Sequence, residues 1–285
     1  MSCSPWLEFV PASRYNQTAF ISERVRPPAR LTDRAFCYSA SVKKDRDAYG
    51  AELIAAYKSR GRIVFEIIER VDRLVDASLW PKRYFSGYRE WSPREKQAVG
   101  LAKGRVLDVG SGAGRYALHL QKKGHHVTAI DNSPGAVQVC RWRGVKKVLV
   151  RSIRELHKFK PDSFDTVIMM GSNFGLFGGR NQARRLLRDF HRITSADGQI
   201  IAEAVDPYTT RNPVHLAYQQ FNRRRGRMSG QLRIRVRHGK IIGPWFDYLL
   251  VSRKEMKEIL AGTGWQITRI LSEKGPGYTA VLKKR

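Results

Sequence analysis

Cysteine is scarce in this chain: three residues, Cys3, Cys37 and Cys140, among 285. Odd in number and far apart, they make neither a disulfide framework nor a C-x-x-C metal half-site, and they read as reduced thiols. Long hydrophobic runs are also missing, so no stretch reaches the about 18 apolar residues expected of a membrane-spanning helix. Met1–Val10 lacks the basic-then-apolar pattern of a signal peptide, and the expected location is the cytoplasm. There is no internal repeat, no low-complexity segment and no metal-ligand spacing. Acids are few, 25 Asp and Glu against 53 Lys and Arg, for a formal charge of +28. Such an excess attracts nucleic acid, anionic membranes or acidic substrates. It is spread along the whole chain, however, so a merely solvated basic surface explains it equally well.

What is present is organised around Arg105-Val-Leu-Asp108-Val-Gly110-Ser111-Gly112-Ala113-Gly114-Arg115. An apolar run ends in an acid, three glycines alternate, and a helix-forming segment begins. This pattern predicts a buried strand, a tight turn and a helix N-terminus. Glycine permits positive φ there and lets a ligand lie against the backbone. The helix start adds unpaired N–H groups and a partial positive charge.

Residues 1–50, with Pro5, Pro11, Pro27 and Pro28 among mixed residues, predict loops and an arm draped over the domain. Across 51–78, Leu53, Ile54, Tyr57, Ile63, Val64, Ile67, Ile68, Val71, Leu74 and Val75 recur at helical spacing. They predict one long helix, or two broken near Gly61, ended by Pro81, so that residues 1–83 form an arm and helical cap. Ser92-Pro93 with Glu95 predicts a further short helix. From 84 to 285 strand and helix alternate, which implies parallel pairing. The strands fall at 106–109, 126–130, 147–150, 164–170 and 199–205. Trp265–Leu271 and Tyr278–Leu282 follow, joined by a turn too short for anything but antiparallel neighbours. Ser252 and Glu255 form a capping box opening a helix. Residues 206–251 interrupt this order. From Arg223 to Lys240 they contain no acid, and Gln231-Leu-Arg-Ile-Arg-Val-Arg alternates apolar with arginine. An inserted basic β-hairpin is predicted, turning at His238-Gly239 into 241–250.

Asp131 ends the second strand 19 residues after Gly112, the distance at which an acid accepts hydrogen bonds from ribose hydroxyls. In dinucleotide sites the third small residue of G-x-G-x-x-G comes one place later than Gly114 does here. Asp108 would also repel a pyrophosphate and favour an ammonium group. An amino acid joined to a nucleoside fits both signs.

Val-Leu-Asp-Val-Gly-Ser-Gly-Ala-Gly, Thr-Ala-Ile-Asp-Asn-Ser, Ser-Phe-Asp-Thr-Val-Ile and Gly-Thr-Gly-Trp together resemble class I S-adenosylmethionine-dependent methyltransferases over about residues 84–285. The resemblance implies an α/β Rossmann-like fold with a seven-stranded, mostly parallel sheet whose last strand is antiparallel, and S-adenosyl-L-methionine as cofactor. By position, Asp108, Gly110, Ser111, Gly112 and Gly114 would shape the methionine side, and Asp131, with Asn132 beside it, would bind the ribose. Ser152 and Ile153 would lie by the adenine, and Met170 and Gly171 would face the methyl donor. Two departures stand out. Arg151-Ser152-Ile153-Arg154 lacks the acid that many relatives use for the adenine amino group. Gly171-Ser172-Asn173-Phe174-Gly175 is not the Asn/Asp-Pro-Pro-Tyr/Phe motif of base and amide methylation, and no Pro-Cys is present.

Methyl transfer needs proximity and orientation, and a general base only where the acceptor carries a proton. Asn173, Asp206, Tyr208 and His215 are weak candidates by location; for each a structural role reads better. The arginine hairpin reads as a solvated face, a phosphate clamp or a lid closing on an anionic acceptor. Trp245, Phe246 and Tyr248 beside it could stack on a planar substrate. The expectation is methylation of a small, planar or anionic molecule at O, N or C. RNA methylation through the basic surface is the alternative, and a non-catalytic cofactor-binding protein of the same fold is a second one.

Overall fold

The computed structural model describes residues 42–59, 64–78 and 80–285. The expected arm over residues 1–41, Cys3 and Cys37, and the helix break at Gly61 lie outside them. Asp47 starts helix α1 (Ala48–Lys58) by accepting the Gly50 N–H at 2.9 Å. The helical pattern then fails. Glu66–Arg70 is strand β1 and Val75–Ser78 is strand β2, an antiparallel hairpin with Arg73 at φ 70° in its turn. Residues 51–78 are therefore not one long helix, and the cap is mixed rather than helical. Ile67, Ile68, Val71 and Val75 are β-branched and suit a pleated surface, and Ile68 fits period 2 as well as period 3.6. What decides the matter is a partner strand far along the chain.

Helix α2 (Trp80–Tyr84) and helix α3 (Pro93–Gly100), the latter with the expected Ser92/Glu95 capping box, lead into the main sheet. There β3 (Arg105–Val109), α4 (Arg115–Lys122), β4 (His126–Asp131), α5 (Pro134–Trp142), β5 (Val148–Val150) and β6 (Phe164–Met169) alternate. Helix α6 (Arg180–Ile193) and β7 (Thr194–Val205) complete the series. The insertion then supplies helix α7 (Pro213–Arg224), which the sequence reading missed, and strands β8 (Gln231–His238), β9 (Ile241–Ile242) and β10 (Phe246–Leu249). Helix α8 (Arg253–Leu260), β11 (Trp265–Ser272) and β12 (Gly277–Lys284) close the chain.

The seven-stranded sheet has the order β11-β12-β7-β6-β3-β4-β5, parallel except for β12, which runs antiparallel to both neighbours. Its central strands are apolar on both faces, as a sheet covered on both sides requires. In β6, Val167 and Met169 pack with Leu186, Phe190 and Ile259 of α6 and α8, while Ile168 turns to Ala117, Leu120 and Val137 of α4 and α5. A second sheet, β10-β8-β1-β2 with β9 on β8, joins the insertion to the N-terminal hairpin; Ile68 pairs with Val236 and Glu69 with Arg235. This second sheet lies over the carboxyl ends of the parallel strands, where an open α/β sheet binds its ligands. Among the described residues, no helix is long and apolar enough to cross a membrane.

Candidate functional site

The turn after β3 is built on its own backbone. The Gly110 and Ser111 N–H groups both donate to the Ile130 carbonyl, and Gly112 N–H donates to Asp131 Oδ2 at 3.0 Å. Asp131 Oδ1 accepts the Ser133 N–H at 3.0 Å. Asp131 thus ties the glycine turn to the start of α5 and keeps lone pairs on both oxygens for a further donor. Gly112 has φ +54°, and a Cβ there would lie 2.8 Å from the Tyr49 hydroxyl. Only glycine fits. Asn173 Nδ2 donates to the Val109 and Gly110 carbonyls at 2.9 Å, fixing the turn from the other side.

A cavity of about 260 Å³ opens beside this turn. Its floor includes Gly110, Ser111, Gly112, Asp131, Asn132, Ser152, Ile153, Met170 and Gly171. Its roof is the second sheet: Ile68, Ile234, Val236, Phe246 and Tyr248 face the cavity. Side chains alternate across a strand, so Arg233, Arg235 and Arg237, which interleave with Ile234 and Val236, lie on the outer face. There Arg235 and Arg237 bind Glu69 at 2.8 and 3.2 Å, and Arg233 stands 3.6 Å from Asp247. The arginine row is no lid closing on an anionic acceptor. Phe246 and Tyr248 line the cavity, whereas Trp245 sits 4.4 Å beneath the Arg235 guanidinium.

Two of the expected cofactor residues stand behind the cavity wall. A Cβ on Gly114 would meet Val145 and Cys140 at 2.8 and 2.9 Å, so this glycine serves packing beneath the turn. Asp108 is buried under it, and its Oδ2 has no hydrogen-bond partner among the described residues. Burial, then the nearby Asp131, pushes the Asp108 carboxyl up to about 7; Asp131 itself rises to about 6, chiefly by burial. An uncompensated buried carboxylate is costly, and a cation at the turn would offset it. The donor set therefore fits an amino-acid ammonium beside Asp108 and a ribose on Asp131. Glu155 does not serve the adenine position: it turns back to the Ser152 N–H and to Lys158.

The Asp108 shift fixes a pH dependence. Unfolded, this group loses its proton near pH 4; folded, it holds the proton to about 7. Between those values the folded state binds more protons, so its contribution to stability falls as pH rises and is flat above. Asp108→Asn removes that slope. The variant's melting temperature should gain on the wild type as pH rises from about 4.5 to about 7, and no further. A difference that is constant over this range contradicts the assignment.

Three of the four weak catalytic candidates lie elsewhere. Asp206 caps the turn Pro207–Thr209 by accepting the Tyr208 N–H, and Tyr208 is exposed with its hydroxyl donating to Glu255 at 2.7 Å. His215 Nδ1 accepts from Arg70 at 3.0 Å in a separate cavity of about 50 Å³. Burial and Arg70 lower its pKa to about 4. Only Asn173 reaches the main cavity, and its amide is engaged by backbone. Sequence reasoning missed the residues that wall the site from the cap. Asp47 accepts from Gly50 N, Gly135 N and Ser133 Oγ, all within 2.9 Å. Tyr49, Glu66 and Tyr84 line the cavity. Arg115 also lines it and is bound by Glu95 at 2.9 Å, and Glu203 anchors the Gly171 N–H at 2.7 Å. Only the buried acids carried a signal, as unpaired glutamates in an otherwise apolar-patterned segment.

Known proteins resemble parts of this chain. Residues 107–202 match a family described as "Methyltransferase domain". A "Ubiquinone biosynthesis O-methyltransferase" of Xylella fastidiosa is 36% identical over 77 residues, 25% of this chain and 31% of that protein. A protein of the same name from Xanthomonas euvesicatoria is 40% identical over 75 residues. The chain spans 31% of the length of each of these two relatives. A SAM-dependent methyltransferase of Bacteroides fragilis, solved with S-adenosyl-L-homocysteine, superposes with a TM-score of 0.72 at 25% identity. That match covers 86% of this chain and 98% of the other. One from Methanosarcina mazei shares the fold, with a TM-score of 0.53 at 17% identity over 68% of this chain.

Proposed function

We propose that this chain, which belongs to the class I S-adenosylmethionine-dependent methyltransferases, transfers the cofactor's methyl group to a hydroxyl of a small, planar, largely apolar molecule. The observation that carries the reading is the roof. Ile68, Ile234, Val236 and Phe246 cover the glycine turn, while the arginines of the same strand face solvent. An apolar roof of this kind takes an aromatic ring by area burial. The naming of the Xylella and Xanthomonas relatives as O-methyltransferases supports oxygen as the acceptor atom.

The cofactor supplies an electrophilic methyl group on a sulfonium. The chain's own residues do the holding. Asp131 and the Gly112 backbone take the ribose, Asp108 balances the ammonium, and Asn173 and Glu203 fix the turns on either side of the reacting centre. Binding both reactants in one enclosed cavity makes the displacement effectively unimolecular.

The test is transfer of labelled methyl from S-adenosylmethionine to a panel of small phenols, amines and thiols, with total RNA as a separate acceptor. Label should appear on phenol oxygen. Label on RNA alone, or on no small molecule, overturns the proposal.

A further inference from the structure

Glu66 on β1 is a carboxyl without a counter-charge among the described residues. It is 3% exposed and lines the cavity on the side of the cap, facing the glycine turn across Tyr84. Its Oε1 accepts the Tyr84 hydroxyl at 3.0 Å, and its Oε2 is buried with no hydrogen-bond partner among the described residues. Glu52 on α1, fully buried, leaves both of its oxygens unpartnered. Among the described residues, the groups that face Glu66 are phenols, acids and a hydroxyl: Tyr49, Glu52, Asp76, Tyr84 and Tyr248, with Ser78 across the strand pair. No salt bridge among the described residues involves Glu52 or Glu66, and Arg83 and Arg115 bind Glu95 instead. Two adjacent buried acids, one of them lining a ligand cavity and neither in a salt bridge among the described residues, have no structural use that an apolar pair would not serve better.

We infer that Glu66 is the general base of the transfer, its Oε2 taking the proton of the acceptor hydroxyl. This rests on the hydroxyl-acceptor reading above. As the acceptor oxygen attacks the methyl carbon, an O–CH3 bond forms and the S–CH3 bond breaks. The bonding pair goes to sulfur, which passes from sulfonium to thioether. The proton moves from the acceptor oxygen to Glu66 and leaves through the cavity mouth.

A Cβ on Gly112 would lie 3.9 Å from the Tyr84 ring, whose hydroxyl donates to Glu66, so the carboxyl stands one tyrosine ring away from the cofactor turn. Tyr84 is a positioning residue: it occupies Oε1, and Oε2 is left without a hydrogen-bond partner among the described residues. Two acids in one dry site cannot both ionise cheaply. Burial raises both carboxyls, Glu52 further through its neighbour Glu66, while the Tyr84 hydrogen bond pulls Glu66 back down. The Tyr84 hydrogen bond favours charge on Glu66, and Glu52 has no such donor among the described residues.

The test is Glu66→Gln, assayed with labelled S-adenosylmethionine against catechol, 4-methylcatechol and the acidic 4-nitrocatechol. With catechol near neutral pH, kcat should fall about 100-fold or more, as for loss of a positioned base. With 4-nitrocatechol at a pH where it is already ionised, the loss should shrink to about threefold or less, since no proton remains to be taken. Unchanged cofactor affinity and melting temperature show that the variant is folded. Equal losses across the three acceptors overturn the role of Glu66 alone. Wild-type protein that methylates a primary amine such as tyramine at nitrogen, and none of the phenols at oxygen, overturns the hydroxyl reading and this one with it.

Discussion

Replacing Asp131 with alanine lowers the affinity for S-adenosylmethionine by roughly 100-fold or more in a calorimetric titration, because charge-assisted hydrogen bonds contribute about 1.5–3 kcal/mol each. The carboxylate has two tasks. It accepts Gly112 N–H and Ser133 N–H, each at 3.0 Å, which sets the shape of the glycine turn. It also offers its remaining lone pairs to the ribose hydroxyls. Alanine removes both, leaves Gly112 N–H unsatisfied and lets the turn relax. Asp131→Asn, which keeps one acceptor oxygen, should fall between the two. Equal affinity in wild type and Asp131→Ala contradicts the ribose assignment.

A second large effect is expected far from any reacting atom. Gly135, in the first turn of α5, lies against Gly50 of α1 so closely that an added Cβ would sit 2.6 Å from Gly50 Cα and 2.9 Å from its carbonyl oxygen. Backbone, unlike a flexible side chain, cannot step aside. The same crossing is held by Asp47, whose carboxylate accepts from the start of α1 at Gly50 and from the start of α5 at Gly135 and Ser133. Gly135→Val should cost about 3 kcal/mol in a denaturant titration, the upper part of the range for overpacking a tight contact. It should weaken cofactor binding as well, since α1 carries Tyr49 against Gly112. Gly100→Ala at the end of α3, where nothing lies within 4 Å of the new methyl, is the control and should be neutral or slightly stabilising. Similar losses in the two variants contradict the close-approach account.

The legible part of this molecule is the part written locally. Val106–Val109, the spaced glycines and Asp131 specify strand, turn and ribose acid within about thirty residues, and the capping boxes at Ser92 and Ser252 mark helix starts where the fold has them. The cap departs from the helical expectation because its pattern is ambiguous and its partner strand distant. Ile67, Ile68, Val71 and Val75 satisfy helical spacing, yet Ile68 finds Val236, 168 positions further along the chain, which no local window contains. The same distance hid the acceptor side of the site. Glu66 and Tyr84 lie 18 positions apart, but they line the site only because β1 pairs with the distant β8 in the sheet that roofs it. Conversely, Asp206 and His215 follow β7 in sequence and looked well placed, but the chain turns away there to build α7, leaving His215 against Arg70. The arginine row was visible as an alternation; which face it took depended on Glu69 and Asp247, contributed by β1 and β10.

The most direct test of the account is a crystal structure with S-adenosylhomocysteine and catechol bound. The account predicts ribose hydroxyls within roughly 2.6–3.1 Å of Asp131, an ordinary hydrogen-bond distance. It also predicts the amino group on the Asp108 side of the turn, and the catechol ring under Ile68, Ile234 and Phe246 with a hydroxyl on Glu66. Ligands seated on the outer arginine face, or a ribose turned away from Asp131, would contradict it.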